Sequence, residues 1–162
     1  MTDSEIGGMK IKDLFEVDQI LTGRTEIETK TTVSVGTVLS IPYNEFVTQN
    51  EDDDASYAAD GTGHLVLNGA GIAVSCPVSL PQGAIVTSCI VYSNVTTENW
   101  TLVRNPVTDS GGAETLATAA LGTTDTSISF ATINNVDFRY HIYLDAMDAS
   151  DRILGAVIVF TV

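Results

Sequence analysis

Along residues 138–146, "FRYHIYLDA", apolar and polar side chains alternate. Phe138, Tyr140, Ile142 and Leu144 share one face; Arg139, His141, Tyr143 and Asp145 share the other. Successive side chains of a strand point to opposite sides, so this period predicts a β-strand with its first face in a core. The closing segment "ILGAVIVFTV", 153–162, is apolar on both faces. A strand of that kind must be covered twice. One cover is a second sheet; the other is the N-terminal region, a loop or a second subunit.

The segments 25–32, 32–41, 64–68, 71–80, 84–93, 99–104, 114–121 and 126–133 also read as strands, rich in Val, Ile and Thr. Turn signals separate them: Pro42, Asn68-Gly69, Pro81-Gln82-Gly83, Asn105-Pro106, Ser110-Gly111-Gly112, Gly122 and Asn134-Asn135. Strands punctuated at intervals of about ten residues predict an all-β fold, a single antiparallel β-sandwich of jelly-roll type. An immunoglobulin-like sandwich is the second choice, but its Cys–Trp–Cys order is absent, because Trp100 follows both Cys76 and Cys89.

The first two dozen residues differ. Ile11, Leu14 and Phe15, then Ile20 and Leu21, approach helical spacing. The reading is an N-terminal arm with a short helix over 1–24 and a sandwich domain over 25–162. The doubly apolar last strand and the arm together predict a homo-oligomer. Its expected contacts are Ile11, Leu14, Phe15, Ile153, Val157 and Val159, with Arg139, His141 and Tyr143 on the polar strand face, since Arg and Tyr are enriched at interfaces. The longest irregular piece, 42–63, has the length of a functional loop.

Charge narrows the partners. The net charge is −14, and no Lys or Arg occurs from Thr31 to Val103, where seven acids do. Such a chain repels phosphate, so direct nucleic-acid binding is not expected. The asymmetry suits either a solvated acidic surface or head-to-tail contacts between copies. No apolar run is long enough to span a membrane as a helix. The start, "MTDSEIGGMKIKD", lacks the basic stretch and apolar core of a secretory signal, so synthesis in the cytoplasm is expected. Cys76 and Cys89 sit in apolar runs and form no CxxC or Cys/His pattern; two buried thiols are expected rather than a disulfide.

Three stretches carry candidate chemistry. Asp109-Ser110-Gly111-Gly112 resembles the nucleophile loop of the trypsin-like serine proteases. The resemblance ends there. Thr108 replaces the family's glycine, His64 lies in "TGHLV" rather than the family's histidine motif, and the chain is too short for two barrels. Asp and Ser bond nearby backbone N–H groups and Gly supplies positive φ, so the stretch reads as a turn. The acidic run 50–56 places Asp52, Asp53 and Asp54 near Asp60 as a loose loop site for calcium, without the sixth-position turn or twelfth-position acid of an EF-hand. The row Arg139, His141, Tyr143 and Asp145 spans about 20 Å and suits an interface or a carbohydrate. No HExxH, phosphate-loop or dinucleotide motif is present, and no acid–base or nucleophilic set assembles, so an enzyme is not expected.

The expectation is therefore a non-enzymatic structural protein that self-assembles: a virion component such as a capsid-decorating, minor capsid or fibre-type jelly-roll subunit, partnered by itself and other assembly subunits. Its place would be a virion or another assembled particle. The alternative is a carbohydrate-binding, lectin-like module, with calcium as its candidate cofactor and Tyr43, Phe46 and Tyr57 as loop aromatics.

Overall fold

The alternation at 138–146 is realised in a ten-residue strand at the centre of a five-stranded sheet. The computed structural model describes residues 5–6, 9–10, 36–50, 55–57, 63–108 and 111–162. The chain divides into two units, Met1–Val33 and Ser34–Val162. In the first, β1 (Glu5–Ile6) pairs antiparallel with β2 (Met9–Lys10). The helix expected near 11–21 and the strand expected over 25–32 lie outside the described residues, and so do Ile11, Leu14 and Phe15.

The second unit is a sandwich of two antiparallel sheets. Its strands are β3 (Thr37–Pro42), β4 (Val47–Thr48), β5 (Ala55–Tyr57), β6 (Leu65–Leu67), β7 (Ile72–Val78), β8 (Ile85–Ser93), β9 (Asn99–Pro106), β10 (Glu114–Ala120), β11 (Phe138–Met147) and β12 (Arg152–Thr161). The front sheet runs β10-β9-β11-β7-β4. In the back sheet β12 is flanked by β3 and β8, and its first residues also pair with β6, which carries β5. The chain changes sheet between β7, β8 and β9 and again between β11 and β12, the jelly-roll habit expected from the sequence.

The core lies between the sheets. From the front come Val74, Cys76, Trp100, Leu102, Leu116, Ile142 and Leu144; from the back, Leu65, Leu67, Val86, Cys89, Val91, Ile153, Ile158 and Phe160. Trp100 is fully buried and donates from Nε1 to the Thr123 carbonyl at 3.1 Å, so its one polar atom is satisfied. Cys76 and Cys89 are free and buried, one in each sheet.

β12 keeps apolar residues on both faces, and a bulge sets which of them point inward. Its pairing with β8 shifts between Ile153 and Gly155, and the extra residue reverses which parity points inward. Ile153 is inward before the shift; Ala156, Ile158 and Phe160 are inward after it. Leu154 is exposed, and Val157 and Val159 are half-buried among cross-strand neighbours such as Val38, Ser40, Ser88 and Ile90. A second bulge in β11, between Leu144 and Met147, turns Ala146 to φ 57° and returns Met147 to the core.

One expected strand is different. Residues 126–133 make no ladder; the segment touches β8 through bridges at Asp125 and Thr132. It closes one open side of the sandwich. Ser129 N–H donates to the Leu116 carbonyl of the front sheet, while Val86 N–H of the back sheet donates to the Ala131 carbonyl. The Asp125 carboxylate accepts from Ser127 N at 2.7 Å and Thr118 N at 3.1 Å, which fixes the bend that a continuous strand would have to straighten. Among the described residues no helix is long and apolar enough to cross a membrane.

Candidate functional site

The outer face of the front sheet is set by register. Tyr143 on β11 lies between Ser75 on β7 and Thr101 on β9. Thr101 in turn meets Thr118 on β10, their hydroxyls 3.2 Å apart. One pleat along, His141 lies between Pro77 and Val103; one further, Arg139 faces Asn105. The face is mostly hydroxyl and amide in character, with two aromatic rings at its centre line.

Two depressions open toward the ends of this face. The first, about 420 Å³, is bordered by Pro77, Leu80, Asn135 and Arg139. Its Arg139 and Asn135 side chains are already engaged. Arg139 Nη1 donates to the carbonyls of Asn135 (2.7 Å) and Phe138 (3.0 Å), and Asn135 Nδ2 donates to the Leu80 carbonyl at 2.8 Å. Arg139 therefore braces the turn before β11.

The second depression, about 460 Å³, has Thr97, Glu98, Asn99 and Thr101 on one wall and Tyr143, Asp145 and Ala146 on the other. The β8–β9 turn supplies the first wall, and the β11 bulge shapes the second. Asp145 Oδ1 accepts from Ala146 N at 2.9 Å, which holds the bulge. Burial and the neighbouring carboxylate of Asp145 raise the Tyr143 hydroxyl above its usual pKa of 10.0, so the phenol stays protonated and neutral. Thr97 Oγ1 donates to Glu98 Oε1 at 2.6 Å. The other oxygen, Glu98 Oε2, is buried and has no hydrogen-bond partner among the described residues. His141, between the depressions, has its pKa lowered from 6.5 by burial and is neutral at pH 7.

Placement of the expected residues is mixed. Arg139, His141 and Tyr143 share the outer front face, with Asp145 at its end. Val157 and Val159 lie on the outer back face and Ile153 lies in the core, so the six do not form one surface. Phe46, expected as a loop aromatic, is fully buried; Tyr43 is half-buried. Asp52, Asp53, Asp54 and Asp60, proposed for calcium, lie outside the described residues, as do Asp109, Ser110 and the side chain of Tyr57. Among the described residues no group of three or more His, Cys, Asp or Glu could hold a metal ion. Sequence reasoning did not single out Thr97, Glu98 or Asn99. Only the β8–β9 turn and the bulge bring them beside Tyr143.

No protein-family model and no curated protein matches the chain. Similar solved structures exist. The C-terminal CBM6 of LamC, a marine laminarinase from Zobellia galactanivorans, is 15% identical with a TM-score of 0.44, over 75% of this chain and 98% of that one. The xylan-binding module CBM15 is 15% identical with a TM-score of 0.45, over 78% and 97%. CBM6cm-2 of Cellvibrio mixtus lichenase 5A, in complex with cellotriose, is 19% identical with a TM-score of 0.42, over 74% and 95%. These are carbohydrate-binding modules on a β-sandwich, not virion or capsid subunits. The expectation of a virion component is corrected accordingly. The bulge in β12 turns Ile153 into the core, while Leu154, Val157 and Val159 stay on the outer face of the back sheet.

Proposed function

We propose that the protein is a carbohydrate-binding module, with its ligand lying on the outer face of the front sheet at the Tyr143 end. The observation that carries this reading is the composition of the second depression. A partly exposed aromatic ring sits beside a threonine hydroxyl, an asparagine amide and a carboxylate. A sugar ring offers an apolar C–H face and a rim of hydroxyls that both donate and accept. A tyrosine ring packs against the first, and Asn, Thr and Asp side chains match the second. Shallow, open sites of this kind suit an extended chain rather than an enclosed small molecule. The row from Arg139 to Asp145 gives about 20 Å of surface along β11 for such a chain.

The proposal is of binding without turnover. Its test is affinity electrophoresis of the purified protein in gels containing xylan, laminarin or galactomannan, with calorimetry against cellotriose. Retardation by at least one polymer, with no new reducing ends released, supports it. Free migration through all of them, with no heat on titration, contradicts it.

A further inference from the structure

We infer that Glu98 makes this site selective for neutral glycans, and that its charge, together with that of Asp145, turns away acidic ones. The inference rests on the carbohydrate reading above and names the ligand class.

Both charged residues that line the second depression are acids. Their carboxylates are not alike. Asp145 is engaged by Ala146 N–H. Glu98 is held through one oxygen by Thr97, while Oε2 is buried without a hydrogen-bond donor among the described residues. A carboxylate with a bare oxygen screened from water keeps more of its field than a solvated one. Native proteins rarely leave such an atom unpaired, and one that persists beside a ligand-sized depression calls for a functional reason.

Among the described residues neither Glu98 nor Asp145 forms an ion pair. The segment from Thr31 to Val103, which includes the β8–β9 turn, has no Lys or Arg. Arg139 is on the same face but four residues from Tyr143, about 13 Å along the strand, and is spent on two carbonyls. A uronate carboxylate seated against Tyr143 would therefore meet two like charges among the residues that line the depression. A neutral sugar would bring hydroxyls, which donate to carboxylates.

The test compares one glycan in two forms. The tightest neutral binder among cellotriose, laminarin and mannohexaose is matched with its derivative oxidised to carboxylate at C6. Wild type, Glu98→Gln and a distant charge control, Asp137→Asn, are titrated with both, and melting curves confirm folding. Wild type should prefer the neutral form, and raising salt should narrow the preference, since the repulsion is screened within about 10 Å at 0.1 M. Glu98→Gln should shift the ratio toward the acidic form by about threefold or more, from one unit charge removed at close range. Asp137→Asn, with the same change in net charge, should leave the ratio unchanged. Equal affinity of wild type for both forms, or a ratio moved equally by both variants, overturns the inference while leaving carbohydrate binding intact. Absence of binding to every neutral glycan overturns both.

Discussion

Tyr143 on β11 stands directly across from Thr101 on β9, and the carboxylate of Asp145, two residues on along the same strand, helps raise the Tyr143 pKa. That relationship joins a sheet register to a binding surface. The inward partners of the same strands, Ile142 and Leu102, are core residues opposite one another. Packing of the core therefore fixes the lateral position of the ring, and the bulge after Leu144 fixes the carboxylate beside it.

His141 should give the face a mild acid sensitivity. Its folded pKa lies below 6.5 because of burial, and its register neighbours Pro77 and Val103 carry no charge. The unfolded chain takes up the proton first as pH falls. The stability involved is fully present above 6.5 and is lost as pH drops through the folded value. His141→Gln should flatten the fall in melting temperature just below pH 6.5 relative to wild type; parallel curves would reject the assignment.

Neither thiol should react in the native protein. Burial pushes Cys76 and Cys89 up to about 12, with Glu45 and Asp125 respectively adding to the effect. At pH 8 both remain thiols, and the thiolate is the nucleophile. Ellman's reagent should find no reactive thiol before denaturation and both after it. Stoichiometric labelling of the folded protein would contradict this burial.

Gly155 should tolerate no side chain. Its φ is +139°, and a Cβ there would lie 2.6 Å from the Ile41 carbonyl oxygen. Gly155→Ala forces β12 away from β3 in the middle of the back sheet. The expected cost is about 1–3 kcal/mol in urea unfolding, seen as a lower midpoint at unchanged slope. An unchanged midpoint would mean the two strands are not packed this closely.

Arg104 closes one end of the sandwich between two rings. Its guanidinium carbon is 3.9 Å from the centroid of Phe130 and 4.1 Å from that of Phe138, and Nε donates to Glu114 at 2.7 Å. A lysine keeps the charge but loses the planar stack. Arg104→Lys should cost about 1–2 kcal/mol; a neutral result would mean the stack contributes nothing.

The strands that alternate were legible because burial on one face writes its period into the sequence. The one at 138–146 gives its inward residues correctly, Ile142 and Leu144 among them. β4 and β5 were not legible, since two or three residues carry no period. The segment 126–133 has strand composition but spends its hydrogen bonds on both sheets, a tertiary choice that local propensity does not record. The inward residues of β12 were not legible for a similar reason: a one-residue bulge switches the parity after Ile153, and no spacing in the sequence announces it. Within the site, Tyr143 and Asp145 could be placed on one face from the sequence. Glu98 could not, because its neighbours are set by a turn and a bulge rather than by any spacing.

The central claim is that Tyr143 is the platform for a sugar ring. It is tested most directly by calorimetric titration of wild type, Tyr143→Phe and Tyr143→Ala with the tightest-binding neutral glycan. Wild type and Tyr143→Phe should bind within a few-fold of each other, while Tyr143→Ala should lose affinity by about tenfold or more, with melting temperature unchanged. A Tyr143→Ala protein that is folded and binds as tightly as wild type would contradict the account.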